Sequence, residues 1–373
     1  MKKPMLILTM LMGPWAWAQT EAVHTIPEFT FESGKKLANM KVGYVTHGTL
    51  NADKSNAILV THGTSGNRLG YNIYIGPGKA FDTSKYFVVA VDAIGGGNSS
   101  SPQNTGLGID FPRYTIRDMV KVQHDLVTKG LGISKLVAVG GPSMGSFQAL
   151  EWGIHHPDAM SGLVLIVPAP RAENTFKMIV DTMKTCVTLD PAWNGGRYSQ
   201  NPVQGLRCAG MVFTPWLSSD TFTAMQRTPQ DYDKLLGAMG SNFAGWDAVS
   251  WMWRYFASRE HDIAQPFGGN LNAALAKIKS KSILLPSVTD RTLTPEGARE
   301  LYKGLKDATY AEIPSIRGHG ANNPGSENAG EYLFITEHLK RFLATLKNSQ
   351  PQPLDVRVIC FCSRALSSRM SWL

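Results

Sequence analysis

The segment with the clearest potential for covalent chemistry is a G-x-S-x-G sequence at residues 141–145, with Ser143 at its centre. A buried strand is predicted directly before it, at residues 136–139, and a helix directly after it. In this context small residues on both sides of the serine let strand and helix approach closely. The N–H groups at the start of the helix favour negative charge developing on a substrate. We predict that Ser143 is a nucleophile; a packed turn without chemistry is the alternative.

A serine hydroxyl becomes a nucleophile when a neighbouring base removes its proton and a carboxylate orients that base. Both partners are expected after the serine in the chain, the acid first. Asp290 follows the predicted strand at residues 283–288. Of nine histidines, only His319 lies in a glycine-flanked loop after this acid. We therefore predict a Ser143–His319–Asp290 triad, with Asp307 as the competing carboxylate.

Acyl transfer to serine also needs hydrogen-bond donors for the oxyanion of the tetrahedral intermediate. The loop at residues 62–66 follows the first buried strand, where such enzymes take one backbone N–H, and the residue after the nucleophile provides the second. We predict that Thr64 and Met144 are these donors. The alternative for the His62-Gly63 dipeptide is a simple strand-ending turn.

Other motifs favour no cofactor and no metal. The glycine-rich loop at residues 95–100 follows a strand, but no Lys-Ser/Thr pair or correctly spaced third glycine accompanies it. It therefore matches neither a phosphate loop nor a dinucleotide fingerprint, and we expect it beside the mouth of the active site. No CxxC pair or His/Cys cluster has metal-binding spacing.

The elements that must position these residues alternate between short apolar strands and helices. This rhythm predicts a mostly parallel sheet with helices on both sides. Its elements include a helix over residues 115–131 and a short late strand over residues 311–313. It covers residues 19–168 and resumes over 271–348, which indicates one core in two parts. Between them, residues 169–270 are predicted to be a helical lid insertion, and they contain five tryptophans. We expect these tryptophans to form the core of the lid, and a few of the rings to line an apolar acyl pocket. Residues 349–373 form a tail to which we assign no role.

Length and composition exclude several classes of protein. With 373 residues, 43% hydrophobic and 18% charged, the chain is not mainly disordered. The net charge is +8, but Lys2 and Lys3 and the excess of basic residues in the tail account for about half of it. The remainder, about +4, is too small to indicate nucleic-acid binding. After residue 18 no apolar run has the length of a membrane-spanning helix.

The first 18 residues have the three regions of a secretory signal peptide: Lys2-Lys3, an apolar run and Ala16-Trp17-Ala18. Cleavage after Ala18 would start the mature protein at Gln19, in the periplasm or outside the cell. Four cysteines are too few for a disulfide framework. Cys186 and Cys208 could pair, and the sequence leaves this open.

Four stretches of the chain resemble the homoserine O-acetyltransferase group of the α/β-hydrolase fold. They are NAILV at 56–60, IGPGKAFDTSKYFV at 75–88, FPRYTIRDMVKV at 111–122 and SMGSFQALEW at 143–152. The similarity extends from about residue 29 to 346. It implies the α/β-hydrolase fold with a helical lid, the same triad of Ser143, Asp290 and His319, and a homodimer of the kind family members often form through the lid.

Two positions depart from the pattern of that family. Homoserine acetyltransferases are similar in having an aspartate directly after the catalytic histidine, where it meets the substrate amine, whereas here that residue is Gly320. They also carry a carboxylate-binding arginine in the lid, and Gly210 aligns with it; Arg207 could replace it only if the helix turned. Unpaired substrate charges would weaken the binding of homoserine. Export is a further objection, because acetyl-CoA is not expected outside the cytoplasm.

These observations favour an exported serine hydrolase of esterase type acting on a small-molecule ester or acyl substrate. One alternative is acyl transfer from acetyl-CoA to homoserine with the same triad. The other is a catalytically silent binding protein on a hydrolase fold.

Overall fold

The computed structural model describes residues 19–225 and 228–347. The predicted signal peptide at residues 1–18 and the tail at 349–373 lie outside the described residues. The ten strands of the described part are β1 (Thr20–Thr30), β2 (Lys36–His47), β3 (Ala57–Val60), β4 (Ile75–Gly76), β5 (Phe81–Asp82), β6 (Phe87–Val91), β7 (Leu136–Pro142), β8 (Met160–Ile166), β9 (Lys281–Leu285) and β10 (Ala308–Tyr310).

Eight of these strands form one sheet in the order β1-β2-β6-β3-β7-β8-β9-β10. Strand β2 is antiparallel to both β1 and β6, and every later pairing is parallel. The predicted mostly parallel sheet is confirmed. The carboxyl ends of β3, β7 and β9 therefore lie at one edge, which is where parallel α/β sheets place their ligands. Strands β4 and β5, of two residues each, form a separate two-stranded sheet that was not expected from the sequence.

The helices of the described residues are α1 (Ile116–Asp125), α2 (Met144–His155), α3 (Asn174–Leu189), α4 (Val203–Leu217), α5 (Asp220–Ala224), α6 (Pro229–Ala244), α7 (Ala248–Arg259), α8 (Leu271–Leu275), α9 (Pro295–Gly304) and α10 (Gly330–Lys347). None of them combines the length and apolar character needed to cross a membrane.

Alternating side chains of the central strands build two hydrophobic cores on opposite faces of the sheet. Leu59 and Val139 belong to the core that α1, α2 and α9 complete. Their neighbours Ile58 and Ala138 belong to the second core, against α10. This burial on both faces explains why the central strands read as continuous apolar runs.

The segment between β8 and β9 contains helices α3 to α8, and a disulfide joins α3 to α4 through Cys186 and Cys208, whose Cα atoms are 5.7 Å apart. The pairing that the sequence left open is therefore present. Closing a loop of this size stabilises the folded chain by about 3 kcal/mol in the chain-entropy treatment. The bond links two of the helices that border the functional site.

Several boundaries differ from the sequence predictions. The helix expected over residues 115–131 ends at Asp125 and continues as one wider π-type turn over Leu126–Gly130. Thr115 is the cap residue, and it forms a reciprocal capping box with Asp118. The late strand expected at 311–313 is instead β10, three residues earlier, and Ile313 forms only an isolated bridge with Ser287.

Candidate active site

Ser143 lies between β7 and α2 with φ 56° and ψ −121°. A side-chain-bearing residue rarely adopts this backbone conformation, and it is typical of strained functional positions. Glycines at 141 and 145 are required because a Cβ at either position would lie within 2.2 to 3.0 Å of Thr61, at the end of β3. The turn therefore packs directly against the neighbouring strand and keeps the serine partly exposed above the sheet.

The structure brings the three predicted triad side chains into one hydrogen-bonded line. His319 Nε2 lies 3.0 Å from Ser143 Oγ, and His319 Nδ1 lies 2.6 Å from Asp290 Oδ2. Asp290 and His319 are buried, with 4% and 7% of their surfaces exposed. Since a carboxylate only accepts hydrogen bonds, Nδ1 carries the proton and Nε2 faces the serine as an acceptor. This is the arrangement that general-base activation of a serine needs.

Main-chain groups hold the carboxylate of Asp290. Its Oδ1 accepts hydrogen bonds from the N–H groups of Thr292 at 2.8 Å and Leu293 at 3.0 Å. The other oxygen, Oδ2, is thereby left for the imidazole. Asp307, the competing acid in the sequence analysis, is exposed at the start of β10 and does not contact His319. The structure therefore favours Asp290 as the partner of the histidine.

The loop that carries His319 is hydrogen-bonded to two other parts of the molecule. The Gly318 N–H donates to Thr289 Oγ1 at 3.1 Å, on the same loop as the acid. Tyr71 and Tyr74 both donate their hydroxyl groups to the Asn322 carbonyl, at 3.2 and 3.3 Å. No signal in the sequence singles out these tyrosines, because no local pattern connects residues about 250 positions apart.

The peptide between Gly63 and Thr64 is held by its carbonyl. Gly63 O accepts hydrogen bonds from His62 Nδ1 at 2.7 Å and from the Gly66 N–H at 2.9 Å. A trans peptide directs its C=O and N–H to opposite sides. The Thr64 N–H therefore points away from these donors, and it has no acceptor among the described residues.

His62 follows strand β3 and also fixes the main chain of the 62–66 loop through its ring. Its Nε2 accepts the Ala93 N–H at 3.0 Å, so the proton of the neutral ring is on Nδ1, where it is donated to Gly63. Burial, together with the positive charge of Arg254, lowers the pKa of His62 to about 4. The ring therefore stays neutral at ordinary pH and keeps this tautomer.

Met144, the second predicted donor, is the first residue of α2. N–H groups in the first turn of a helix lack intrahelical acceptors, which leaves this one available beside Ser143. The Met144 side chain is fully buried and does not border the cavity described below.

A cavity of about 330 Å³ opens above the serine. Ser143, His319 and Thr64 line it on the sheet side. The side chains that the helical insertion contributes are apolar or aromatic: Phe176, Phe213, Leu217, Met239 and Tyr255. No Lys, Arg, Asp or Glu is among the described residues that border it. No tryptophan is among the described residues that border it either, so phenylalanine, tyrosine, leucine and methionine take the place of the tryptophan rings expected there.

Gly210 lies where helices α4 and α6 cross. A Cβ at this position would be 2.4 Å from the carbonyl oxygen of Met239 and 2.7 Å from Gly240 Cα. No larger side chain fits unless one helix moves. Arg207 is exposed and is not one of the described residues bordering the cavity. Gly320 does border the cavity, where it presents no charged group.

The glycine-rich loop is not beside the cavity mouth as expected. Gly95 to Gly97 border an adjoining, more polar cavity of about 290 Å³. Ser65 and Gly66 contribute to both cavities, so the 62–66 loop separates them. Within the described residues, no group of three or more His, Cys, Asp or Glu side chains could hold a metal ion.

Comparison with known proteins places these features in a family. A family model described as alpha/beta hydrolase fold matches residues 56–264. The homoserine O-acetyltransferase of Methanohalobium evestigatum is 32% identical, over 87% of this chain and 76% of that protein.

Solved structures of two kinds of enzyme are also similar. The acetyl esterase MekB has a TM-score of 0.82 at 29% identity, over 87% of this chain and 97% of that chain. A homoserine O-acetyltransferase from Bacillus anthracis has a TM-score of 0.79 at 26% identity, with the same coverage. The chain is therefore an enzyme of the alpha/beta hydrolase fold and belongs to its homoserine O-acetyltransferase-like group, among hydrolases and acyltransferases.

Proposed function

We propose that this protein is an exported serine esterase that hydrolyses esters of small, uncharged molecules. The observation that carries the proposal is the hydrogen-bonded line Ser143–His319–Asp290 at the floor of a cavity bordered by no Lys, Arg, Asp or Glu among the described residues. The triad provides acyl chemistry, and the uncharged cavity wall favours neutral substrates. Hydrolysis is also consistent with the name of a similar structure, the acetyl esterase MekB.

In the proposed reaction Ser143 Oγ attacks the ester carbonyl while His319 Nε2 takes the hydroxyl proton. Asp290 stabilises the imidazolium through its hydrogen bond to Nδ1. The N–H groups of Thr64 and Met144 bind the oxyanion. When the intermediate collapses, His319 gives the proton to the departing alkoxide and an acyl-serine remains. A water molecule, activated by the same histidine, then releases the acid.

Acyl transfer to homoserine is the second candidate, because curated relatives about 32% identical carry that name. Homoserine is a zwitterion at neutral pH. Its ammonium and carboxylate would both enter a cavity bordered by no Lys, Arg, Asp or Glu among the described residues. At the two charged positions of the family pattern this chain has Gly320, which borders the cavity, and Gly210, at the crossing of α4 and α6. Each unpaired charge would cost about 1 to 3 kcal/mol.

Purified protein given acetyl-CoA and L-homoserine is expected to release no thiol beyond the rate in water alone. The same preparation is expected to hydrolyse 4-nitrophenyl acetate with a burst that indicates an acyl-enzyme. The measurement is thiol release followed with a chromogenic disulfide, and the Ser143→Ala variant is the background control. Rapid thiol release that depends on homoserine would instead establish the transferase.

The export part of the proposal rests on the signal-like residues 1–18 and is supported by the disulfide in the insertion, since such bonds persist mainly in oxidising compartments. The protein expressed from its full sequence in a bacterial host is expected in the periplasmic fraction, starting at Gln19. Peptide mass mapping after alkylation is expected to show Cys186 and Cys208 protected until a reductant is added. A cytoplasmic, uncleaved product in which these two cysteines are alkylated without a reductant would contradict export.

A further inference from the structure

Arg254, on helix α7, is a buried cation with no carboxylate in direct contact among the described residues. Only 1% of its surface is exposed, and the nearby Asp92 forms its ion pair with Arg68. Its Nε and Nη2 atoms form no hydrogen bond of good geometry among the described residues, although the nearby Tyr114 hydroxyl and Asp92 carboxylate favour its charged form. Burying a guanidinium without a carboxylate is unfavourable, so the interactions that Arg254 does make need an explanation.

Those interactions are with the 62–66 loop. Arg254 Nη1 donates to the Gly66 carbonyl at 2.8 Å and to the Thr64 carbonyl at 3.3 Å. The next residue of α7, Tyr255, bonds through its hydroxyl to Ser65 Oγ at 2.6 Å. One turn further on, Ser258 Oγ lies 3.0 Å from Thr64 Oγ1. Helix α7 therefore bonds to every residue from 64 to 66.

The glycine-rich loop completes this arrangement. A Cβ on Gly96 would lie 2.1 Å from Arg254 Nη2, and one on Gly97 would lie 2.2 Å from the Asp92 carboxylate. The glycines that resembled a phosphate loop thus make room for protein side chains. The far side of the guanidinium packs on the Trp246 ring, 4.7 Å from its centroid. Arg254 is held between the 95–97 loop and the 62–66 loop.

We propose that Arg254 is a positioning residue that fixes the 62–66 loop so that the Thr64 N–H stays directed at the oxyanion. The inference rests on the proposed function, because it assumes that Ser143 forms a tetrahedral intermediate. His62 holds the carbonyl before Thr64 and Arg254 holds the carbonyl after it. With both carbonyls fixed, the peptide that carries the Thr64 N–H cannot rotate freely. Arg254 does not border the substrate cavity, so its effect on catalysis passes through the loop.

Three variants test this role: Arg254→Met, Arg254→Lys and Gly96→Ala. Arg254→Met is expected to lower kcat about 10-fold to 100-fold and to leave KM unchanged. The reason is that one oxyanion donor would no longer be held in the correct direction. Gly96→Ala retains the arginine but displaces its guanidinium, so kcat should fall in the same direction. Arg254→Lys should recover part of the loss, because an ammonium also donates to carbonyls.

The discriminating readout is inhibition by a trifluoromethyl ketone, which forms a tetrahedral oxyanion adduct with the serine. Its Ki is expected to rise by the factor by which kcat/KM falls, whereas a loss of folded protein would change neither Ki nor KM. Two matched controls are expected to keep the wild-type kcat, KM and Ki. Arg113→Met removes a guanidinium stacked on Trp253 and Phe256. Gly237→Ala adds a methyl group where a Cβ would meet no atom within 4 Å.

End-point labelling with a fluorophosphonate separates the two hypotheses. If the wild type does not label at Ser143, the proposed function fails. If it labels, while Arg254→Met and Gly96→Ala keep the wild-type kcat and Ki, the positioning role is wrong. Should Arg254→Met not fold, Gly96→Ala and Arg254→Lys decide the question by the same criterion.

Discussion

Ser143→Ala is expected to lower kcat for 4-nitrophenyl acetate by up to about 10⁶-fold, and adding His319→Ala should reduce it little further. The reason is that the two side chains act as one unit. Without the Oγ atom no acyl-enzyme forms, and His319 Nε2, 3.0 Å from that atom, has no proton to remove. The remaining rate would come from the oxyanion donors and from water.

Steady-state rates per amount of folded protein measure this effect, and fluorophosphonate labelling reports whether the nucleophile is present. His338→Ala is the matched histidine control, because His338 lies within α10 and bonds to the Phe334 carbonyl of its own helix. Double-variant losses that multiply would show that Ser143 and His319 do not share one step. Labelling that persists in Ser143→Ala would show that another residue is the nucleophile. No labelling of the wild-type protein would favour the catalytically silent binding protein.

Asp290→Asn should lower kcat/KM by about 10⁴-fold with the fold intact. In the native site Oδ1 accepts the N–H groups of Thr292 and Leu293, and Oδ2 accepts His319 Nδ1–H. An asparagine keeps its oxygen on the two N–H donors and turns its NH₂ toward the imidazole. The histidine must then accept at Nδ1 and carry its proton on Nε2. In that tautomer it cannot take the proton of Ser143.

Asp307→Asn is the control for this substitution, since Asp307 was the rival acid and is exposed at the far end of its strand from the cavity. Its kcat/KM should equal that of the wild type. Thermal unfolding curves establish that both variants fold. Equal losses in the two variants, or a loss in Asp307→Asn alone, would contradict the assignment of the acid.

The parts of the molecule that the sequence predicted correctly are those with local signals. The central strands are apolar on both faces, and the G-x-S-x-G turn needs its glycines because Thr61 is adjacent. The late strand was predicted at residues 311–313, whereas strand β10 covers Ala308–Tyr310. The residues of β10 are partly buried or exposed and form no apolar run, while the buried Ile313 beyond them does look like a strand residue. The sheet pairing of such an edge strand is decided by its neighbour β9 rather than by its own residues.

The residues of the candidate site also divide into those with a local sequence signal and those without one. Asp290 and His319 could be predicted because each follows a recognisable strand in the expected order. The role of Arg254 could not be predicted, because its partners are main-chain carbonyls about 190 residues earlier in the chain. Every residue has such a carbonyl, so the residue types do not reveal which ones accept a hydrogen bond. The one available signal was the run of glycines at 95–97. Its meaning, space for an arginine and an aspartate, is visible only in three dimensions.

The tight crossing at Gly210 limits how this chain can be re-engineered. An arginine introduced there would place its Cβ 2.4 Å from the Met239 carbonyl oxygen, so helices α4 and α6 would have to separate before the side chain could fit. The substitution Gly210→Arg alone is therefore expected to disturb the packing of the insertion, and adding a guanidinium at this point requires compensating changes on α6.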